Sequence, residues 1–296
     1  MKFISTPSER FENLPGFSFK ENYVQFQDMK MHYIDEGAGE IILALHGEPS
    51  WCYLYRKFVP VLGAYRFIAP DFFGFGKSDK PTQTKDYSYE FHLETLIHFC
   101  KQLALRDITL VVQDWGGLLG LGLLGQQPEL FKRVVIMNTF LPVGKSLKFP
   151  FKMWQWFAKY HPSIPVGGVI QFASHRTISK DILKAYDAPF PSRKYKAGAR
   201  IFPSLVPGKK NDPAVPYLKM AREVLSKWNK PALVLFSDKD KVLGGLEKFF
   251  YKLIPTAKDQ RKILIADAGH FLQEEKGEEI ARYIDAFVKG ELEIKA

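Results

Sequence analysis

Six short apolar runs, each closed by turn residues, are strung along this chain with helix-length segments among them, and this alternation restricts the fold more than any other feature. The runs are Ile41–Leu45, Phe67–Ala69, Ile108–Val112, Val134–Met137, Leu233–Phe236 and Ile263–Ala266. Apolar runs without polar alternation suit strands buried on both faces, as in a parallel sheet. Tyr89–Leu105, Gly116–Gln127 and Glu274–Val288 carry helical spacing. Together they predict an α/β fold with a mostly parallel, doubly wound sheet. Tyr23–Phe26 and Lys30–Ile34 predict two antiparallel strands ahead of it. Between Leu141 and about Pro216 the alternation stops, prolines, aromatics and basic residues take over, and the pattern resumes at Pro231. The expected organisation is a core of residues 1–140 and 216–296 with an inserted helical cap of 141–215.

At 296 residues, 46% of them hydrophobic, the chain can bury a large core as one domain with an inserted subdomain. Met1–Phe11 has charge and a proline where a secretion signal needs an apolar run, and no stretch approaches the ~20 apolar residues of a membrane span. A cytoplasmic protein without a membrane partner is expected. Cys52 and Cys100 lie in apolar segments and read as reduced, buried thiols. The net charge of +10 is carried by basic residues spread along the chain, with little clustering beyond Arg193–Arg200. That stretch is broken by Tyr195 and Gly198 and follows a Pro-Phe-Pro turn at 189–191, so it reads as solvated surface, and no nucleic-acid partner is expected.

Open α/β sheets place reactive groups at the carboxyl ends of their strands. The polar residues here fall at such ends: His46–Glu48, Asp71–Gly76, Asp114–Gly117, Asn138, Asp238–Asp240 and His270. Val112-Gln113-Asp114-Trp115-Gly116-Gly117 joins a strand to a Gly-rich helix, the setting of a sharp turn that lifts a nucleophile clear of the backbone. Its central residue is aspartate, and a carboxylate can displace a leaving group at saturated carbon and form an ester that water must later hydrolyse. The alternative is that Asp114 only caps the following helix.

Ala268-Gly269-His270-Phe271 follows the last strand and offers an imidazole that can take a proton from water. Asp240, in Ser237-Asp238-Lys239-Asp240-Lys241, is the acid expected to orient it. Asp238 ends the strand, and Asp267 is too near His270 in sequence. The order nucleophile, acid, histidine is that of α/β-hydrolases. His46-Gly47-Glu48-Pro49-Ser50-Trp51 stands where a backbone N–H completes an oxyanion hole, making the amides of Glu48 and Trp115 the expected donors; His46 reads as a structural hydrogen-bonding residue. Phe73-Gly74-Phe75-Gly76-Lys77-Ser78 lacks the glycine a phosphate loop needs at Asp71 and the one a dinucleotide motif needs at Asp79. It is expected to be structural.

These motifs resemble the haloalkane dehalogenases, and the likeness runs over nearly the whole chain: His46–Trp51, Asp71–Pro81, Gln113–Gly117 and Asp267–Phe271, with Tyr186–Pro191 and Tyr195–Arg200 in the cap. The resemblance implies an α/β-hydrolase fold, Asp114 as nucleophile, His270 as base, Asp240 as acid and Trp115 as one halide-binding indole. One branch of that family has asparagine at the position of Glu48 and takes its acid where this chain has Asn138. The chain is more similar to the other branch, which uses a second tryptophan in the cap. Trp154 and Trp156 both qualify, Trp154 being favoured by its spacing from Pro165-Val166-Gly167, and Phe151 is a pocket candidate. An indole N–H is a donor with no acceptor, which suits a departing halide in a dry pocket. The implied substrate is a small apolar halogenated compound and the bound product a halide ion; no metal or organic cofactor is implied, and a monomer is expected.

Three rival readings stand beside this one. An epoxide hydrolase shares the nucleophile and base but protonates its substrate with cap tyrosines, for which Tyr160, Tyr186 and Tyr195 are available; Trp115 and Glu48 argue against it. A haloacid-type defluorinase would want arginine where Trp115 stands. A binding protein on the same fold would need none of the catalytic set.

Overall fold

The apolar runs pair edge to edge into one sheet. In the computed structural model, which describes residues 1–292 other than 148, 162, 259 and 261, its strands are β1 (Asn22–Phe26), β2 (Met29–Glu36), β3 (Ile41–Leu45), β4 (Arg66–Pro70), β5 (Ile108–Gln113), β6 (Phe131–Met137), β7 (Ala232–Ser237) and β8 (Ile263–Ile265). Their order is β1-β2-β4-β3-β5-β6-β7-β8. β1, β2 and β4 pair antiparallel, and every other pairing is parallel. Chain order reverses at β3, whose Leu45 is in register with Val112 of β5. The loops after β3 and β5 therefore leave side by side, at a topological switch point. β5 and β7 are buried along their whole length, which is why they read as unbroken apolar runs.

The α-helices are α1 (Tyr89–Gln102), α2 (Trp115–Gln126), α3 (Phe149–Tyr160), α4 (Val166–Ala173), α5 (Lys180–Asp187), α6 (Ala197–Leu205), α7 (Val215–Ser226), α8 (Glu247–Leu253), α9 (Pro255–Lys258) and α10 (Leu272–Lys289), and a separate two-stranded antiparallel sheet pairs Phe3–Ile4 with Lys80–Pro81. Ser88 caps α1 by accepting from Phe91 N, worth ~1 kcal/mol. α1 stops three residues short of the expected Leu105, because Ala104 takes a φ of 49° that a helix cannot hold. β8 likewise ends one residue early, ahead of Asp267 with a φ of 55°. α2 is apolar on every side and buried along its length, so its pattern encodes sandwiching rather than amphipathicity.

Helices α3 to α6 lie in the stretch where the strand pattern stops. α3 has two apolar faces: Ala158 is buried, with Phe151 and Trp154 packed on the core, while Phe149, Met153, Trp156 and Tyr160 point outward. The basic stretch at 193–200 is not wholly surface. Lys196 is buried and donates to Ile164 O at 2.7 Å. Basic residues do run along the whole chain, but acids do not, and the excess is local. Residues 141–215 hold thirteen Lys and Arg against three Asp and Glu, an excess equal to the entire net charge of +10.

Candidate active site

Asp114 sits between β5 and α2 with φ 49° and ψ −122°, and its side chain makes no capping bond to the helix. A non-glycine residue held there costs on the order of 1–3 kcal/mol, so the surroundings must enforce it. A Cβ on Gly116 would lie 2.0 Å from the carbonyl oxygen of Leu45, and one on Gly47 would lie 2.5 Å from Asp114 Cβ. Only glycine lets β3, the following turn and the elbow come this close. Asp114 N donates to Asn138 O at 3.1 Å, and Thr139 Oγ1 donates to Asp114 O at 2.7 Å.

The raised carboxylate is held at both oxygens. Glu48 N donates to Asp114 Oδ1 at 2.8 Å, and His270 Nε2 stands 3.5 Å from Oδ2. Trp115 opens α2, so its N–H has no acceptor inside the helix. On its far side, His270 Nδ1 lies 3.0 Å from Asp240 Oδ2, while the other oxygen of Asp240 accepts from Val242 N and Leu243 N at 2.7 and 3.1 Å. Burial opposes a charge on His270, but Asp240 and then Asp114 outweigh it and push the imidazole up to about 10. Burial likewise works against the Asp240 carboxylate, yet His270 and the two amides hold it below the usual range. Asp238 and Asp267 do not meet the histidine ring; Asp238 pairs with Lys239.

Three neighbours contribute side chains to which the sequence assigned no role here. Gln113 brings Nε2 within 3.2 Å of both His270 Nε2 and His270 O, and its Oε1 is buried without a partner. Asn138 ties three strand ends together: Nδ2 donates to Ser237 Oγ, Gly269 O and His270 O, and Oδ1 accepts from Ser237 N. Glu48 has a buried Oε1 with no partner, and burial, followed by the charge on Asp114, keeps its acid group well above the usual carboxylate range. A polar residue ending an apolar strand was the one signal available for Gln113 and Asn138.

His46 accepts from Phe72 N through Nε2 at 3.0 Å and directs Nδ1 at Gly47 O, an arrangement that braces two loops. The 73–78 segment is likewise stitched to the core. Lys77 N donates to Asp71 Oδ2, and Lys80 Nζ donates to Gly76 O and Ser78 O. His32, Cys52 and Asp71 bring three potential metal donors within 4.8 Å, but Asp71 already accepts from His32 Nδ1, Lys77 N and Cys52 N. The group works as a buried junction between β2, β4 and the loop after β3.

A carboxylate on an elbow, a carboxylate-oriented imidazole and converging amides are the parts of a two-step ester mechanism. The alpha/beta hydrolase fold family matches residues 40–277. A haloalkane dehalogenase of Psychrobacter cryohalolentis is 45% identical, over 97% of this chain and 98% of its own. One of Mycolicibacterium paratuberculosis is 42% identical, over 96% and 97%. The solved tetrameric haloalkane dehalogenase of Paraglaciecola agarilytica superposes with a TM-score of 0.89 at 38% identity, over 96% of this chain and 97% of that one.

This chain is a member of the haloalkane dehalogenase family. Asp240 after β7 meets the imidazole, while Asn138 after β6 braces its loop. Trp51 and Trp228 donate their indole N–H groups to Ala185 O and Pro231 O; among the described residues no protein acceptor takes those of Trp115 or Trp154. Trp115 is buried against Phe202, with ring centroids 4.7 Å apart. Trp154 is partly buried and stacks on Phe157, whereas Trp156 is on the outer face of α3. Phe151 packs beside Phe140. Two of the three tyrosines available to an epoxide hydrolase are otherwise engaged or turned away: Tyr186 donates to Glu274 Oε2 at 2.7 Å, and Tyr160 is exposed.

Proposed function

We propose that the protein hydrolyses small apolar haloalkanes to an alcohol, a halide ion and a proton, with Asp114 as nucleophile. The observation that carries this reading is a carboxylate, in place of a hydroxyl, on a strained elbow between the Glu48 amide and His270. Asp114 attacks the halogen-bearing carbon, the carbon–halogen bond breaks, and the halide leaves with its electron pair. The Trp115 and Trp154 indole N–H groups take up the developing anion, replacing the water it would otherwise polarise. The ester then forms on the oxygen away from Glu48, leaving Oδ1 as the carbonyl oxygen already facing an amide.

His270 takes a proton from water, whose oxygen adds to the ester carbonyl carbon. The Glu48 and Trp115 amides hold the oxyanion, and its collapse expels the alkoxide, which leaves as the alcohol with the proton of the added hydroxyl; the Asp114 carboxylate is regenerated, and His270 gives up its proton to solvent. Esterification of Asp114 removes a negative charge 3.5 Å from the imidazole. That loss lowers the proton affinity of His270 and frees it to act as a base when the second step needs one. Residues 141–215 act as a cap over this site, with Phe151 and Trp154 of α3 on its inner wall, and the remainder forms the core.

Halide release from 1-bromobutane or 1,2-dibromoethane tests the proposal, with Asp114→Ala as control and His270→Gln as a trap. The expected result is turnover by the native chain, none by the first variant, and one equivalent of halide with a stable alkyl adduct on Asp114 from the second. Diol formation from styrene oxide without halide release would point to an epoxide hydrolase.

A further inference from the structure

We propose that the outer face of α3 docks the protein on an anionic phospholipid surface. Phe149, Met153, Trp156 and Tyr160 are 73%, 56%, 66% and 57% exposed. At about 100° per residue they fall within about 60° of one another, a single apolar ridge along the helix. Lys152 and Lys159, both exposed, flank it on one side. Further basic residues ring the ends. The backbone of Lys209 and Lys210 abuts Gly144 at the start of the segment leading into α3, and Arg200 donates to Lys159 O at its far end.

An exposed aromatic ridge bordered by lysines is the signature of a helix lying in a membrane interface. No described helix is long and apolar enough to cross a membrane, so the attachment is peripheral, about 5–10 Å deep at the ridge. Charge selects the occupant. The insertion carries a formal excess equal to the chain's ten positive charges, with Lys152 and Lys159 exposed beside the ridge, and anionic lipid attracts exposed lysines within a Debye length. A second copy fits less well. A twofold contact through this ridge would bring two basic caps together. Three aromatics and a methionine, only 56–73% exposed where a whole aromatic offers about 150–250 Å², also fall short of the roughly 800 Å² per partner of a stable protein interface. Docking of this kind does not depend on the reaction the site performs.

The test is co-sedimentation of the full chain with vesicles of phosphatidylcholine alone and of phosphatidylcholine mixed with phosphatidylglycerol, at low and high salt. The expected result is binding to the mixed vesicles only, lost at high salt, with a blue shift of tryptophan emission. Met153→Ser with Trp156→Ser should abolish the binding, and Lys152→Glu with Lys159→Glu should weaken it by more than about tenfold. The charge variants leave the apolar ridge intact and guard against a misfolded stripe variant. Absence of the native chain from the mixed-vesicle pellet overturns the proposal. So does concentration-dependent self-association, by analytical ultracentrifugation, that the stripe substitutions remove.

Discussion

The side-chain amide nitrogen of Gln113 lies 3.2 Å from Nε2 of His270, the nitrogen proposed to take a proton from water. A donor there favours the neutral imidazole and opposes the two carboxylates that favour the charged one. Gln113→Leu removes the donor without adding charge. The expected outcome is an intact halide burst followed by slower ester hydrolysis at neutral pH, with the pH at which hydrolysis rises moved upward. Stopped-flow halide detection over a pH series separates the two steps; unchanged hydrolysis would remove Gln113 from the mechanism.

The same imidazole makes a stability prediction. Its folded proton affinity is raised to about 10 from an unfolded value of ~6.5. A group so raised stabilises the fold fully below about 6.5, and that contribution is lost as pH rises through about 10. Thermal melts between pH 7 and 10, on the order of the window set by these two values, should fall more steeply for the native chain than for His270→Gln.

Removing the orienting acid should damage the second step most. Asp240→Asn leaves a neutral partner on Nδ1 and lets the ring adopt the wrong tautomer; comparable changes in triads cost on the order of 10⁴-fold. Mass spectrometry should find the alkyl adduct accumulating on Asp114.

Halide recognition distinguishes the three tryptophans near the site and cap. Trp115→Phe should lower halide release by about 10²-fold or more, the cost of losing one aimed donor. Trp154→Phe should lower it and weaken iodide quenching of fluorescence, whereas Trp156→Phe should leave halide affinity unchanged.

Glu48 predicts a gain in stability. Its acid is buried, lacks a partner on Oε1 and titrates well above the usual carboxylate range. Stability from this raised group is present below an unfolded value of ~4.3 and lost as pH rises toward the folded one. Glu48→Gln, which cannot ionise, should therefore match the native chain in acid and exceed it by ~1 kcal/mol in mild base, measured by urea denaturation at both pH values.

The sheet was legible because burial on both faces writes itself into unbroken apolar runs, and the order of Asp114, Asp240 and His270 was legible because each follows such a run. The roles of Gln113 and Asn138 were not, since a polar residue ending a strand gains its meaning only from loops more than 90 residues away along the chain. The ends of α1 and β8 were misjudged where single residues adopt positive φ, a choice that the local side chains do not announce. That the excess charge gathers in residues 141–215 was not read, because lysines are conspicuous and missing acids are not.

Under these proposals, helix α3 carries one task on each side, with Trp154 turned inward and Trp156 turned outward two positions later. Each added or lost residue would rotate every later side chain of the helix by about 100°, so the loop that enters this helix is under a length constraint. One deletion between Gly144 and Phe149, if passed on to the helix, would swing the indole of the pocket toward solvent and the outer ridge toward the core. The helix is in this sense a dial with two readings that must agree, and drift in its composition is tolerable where drift in its phase is not.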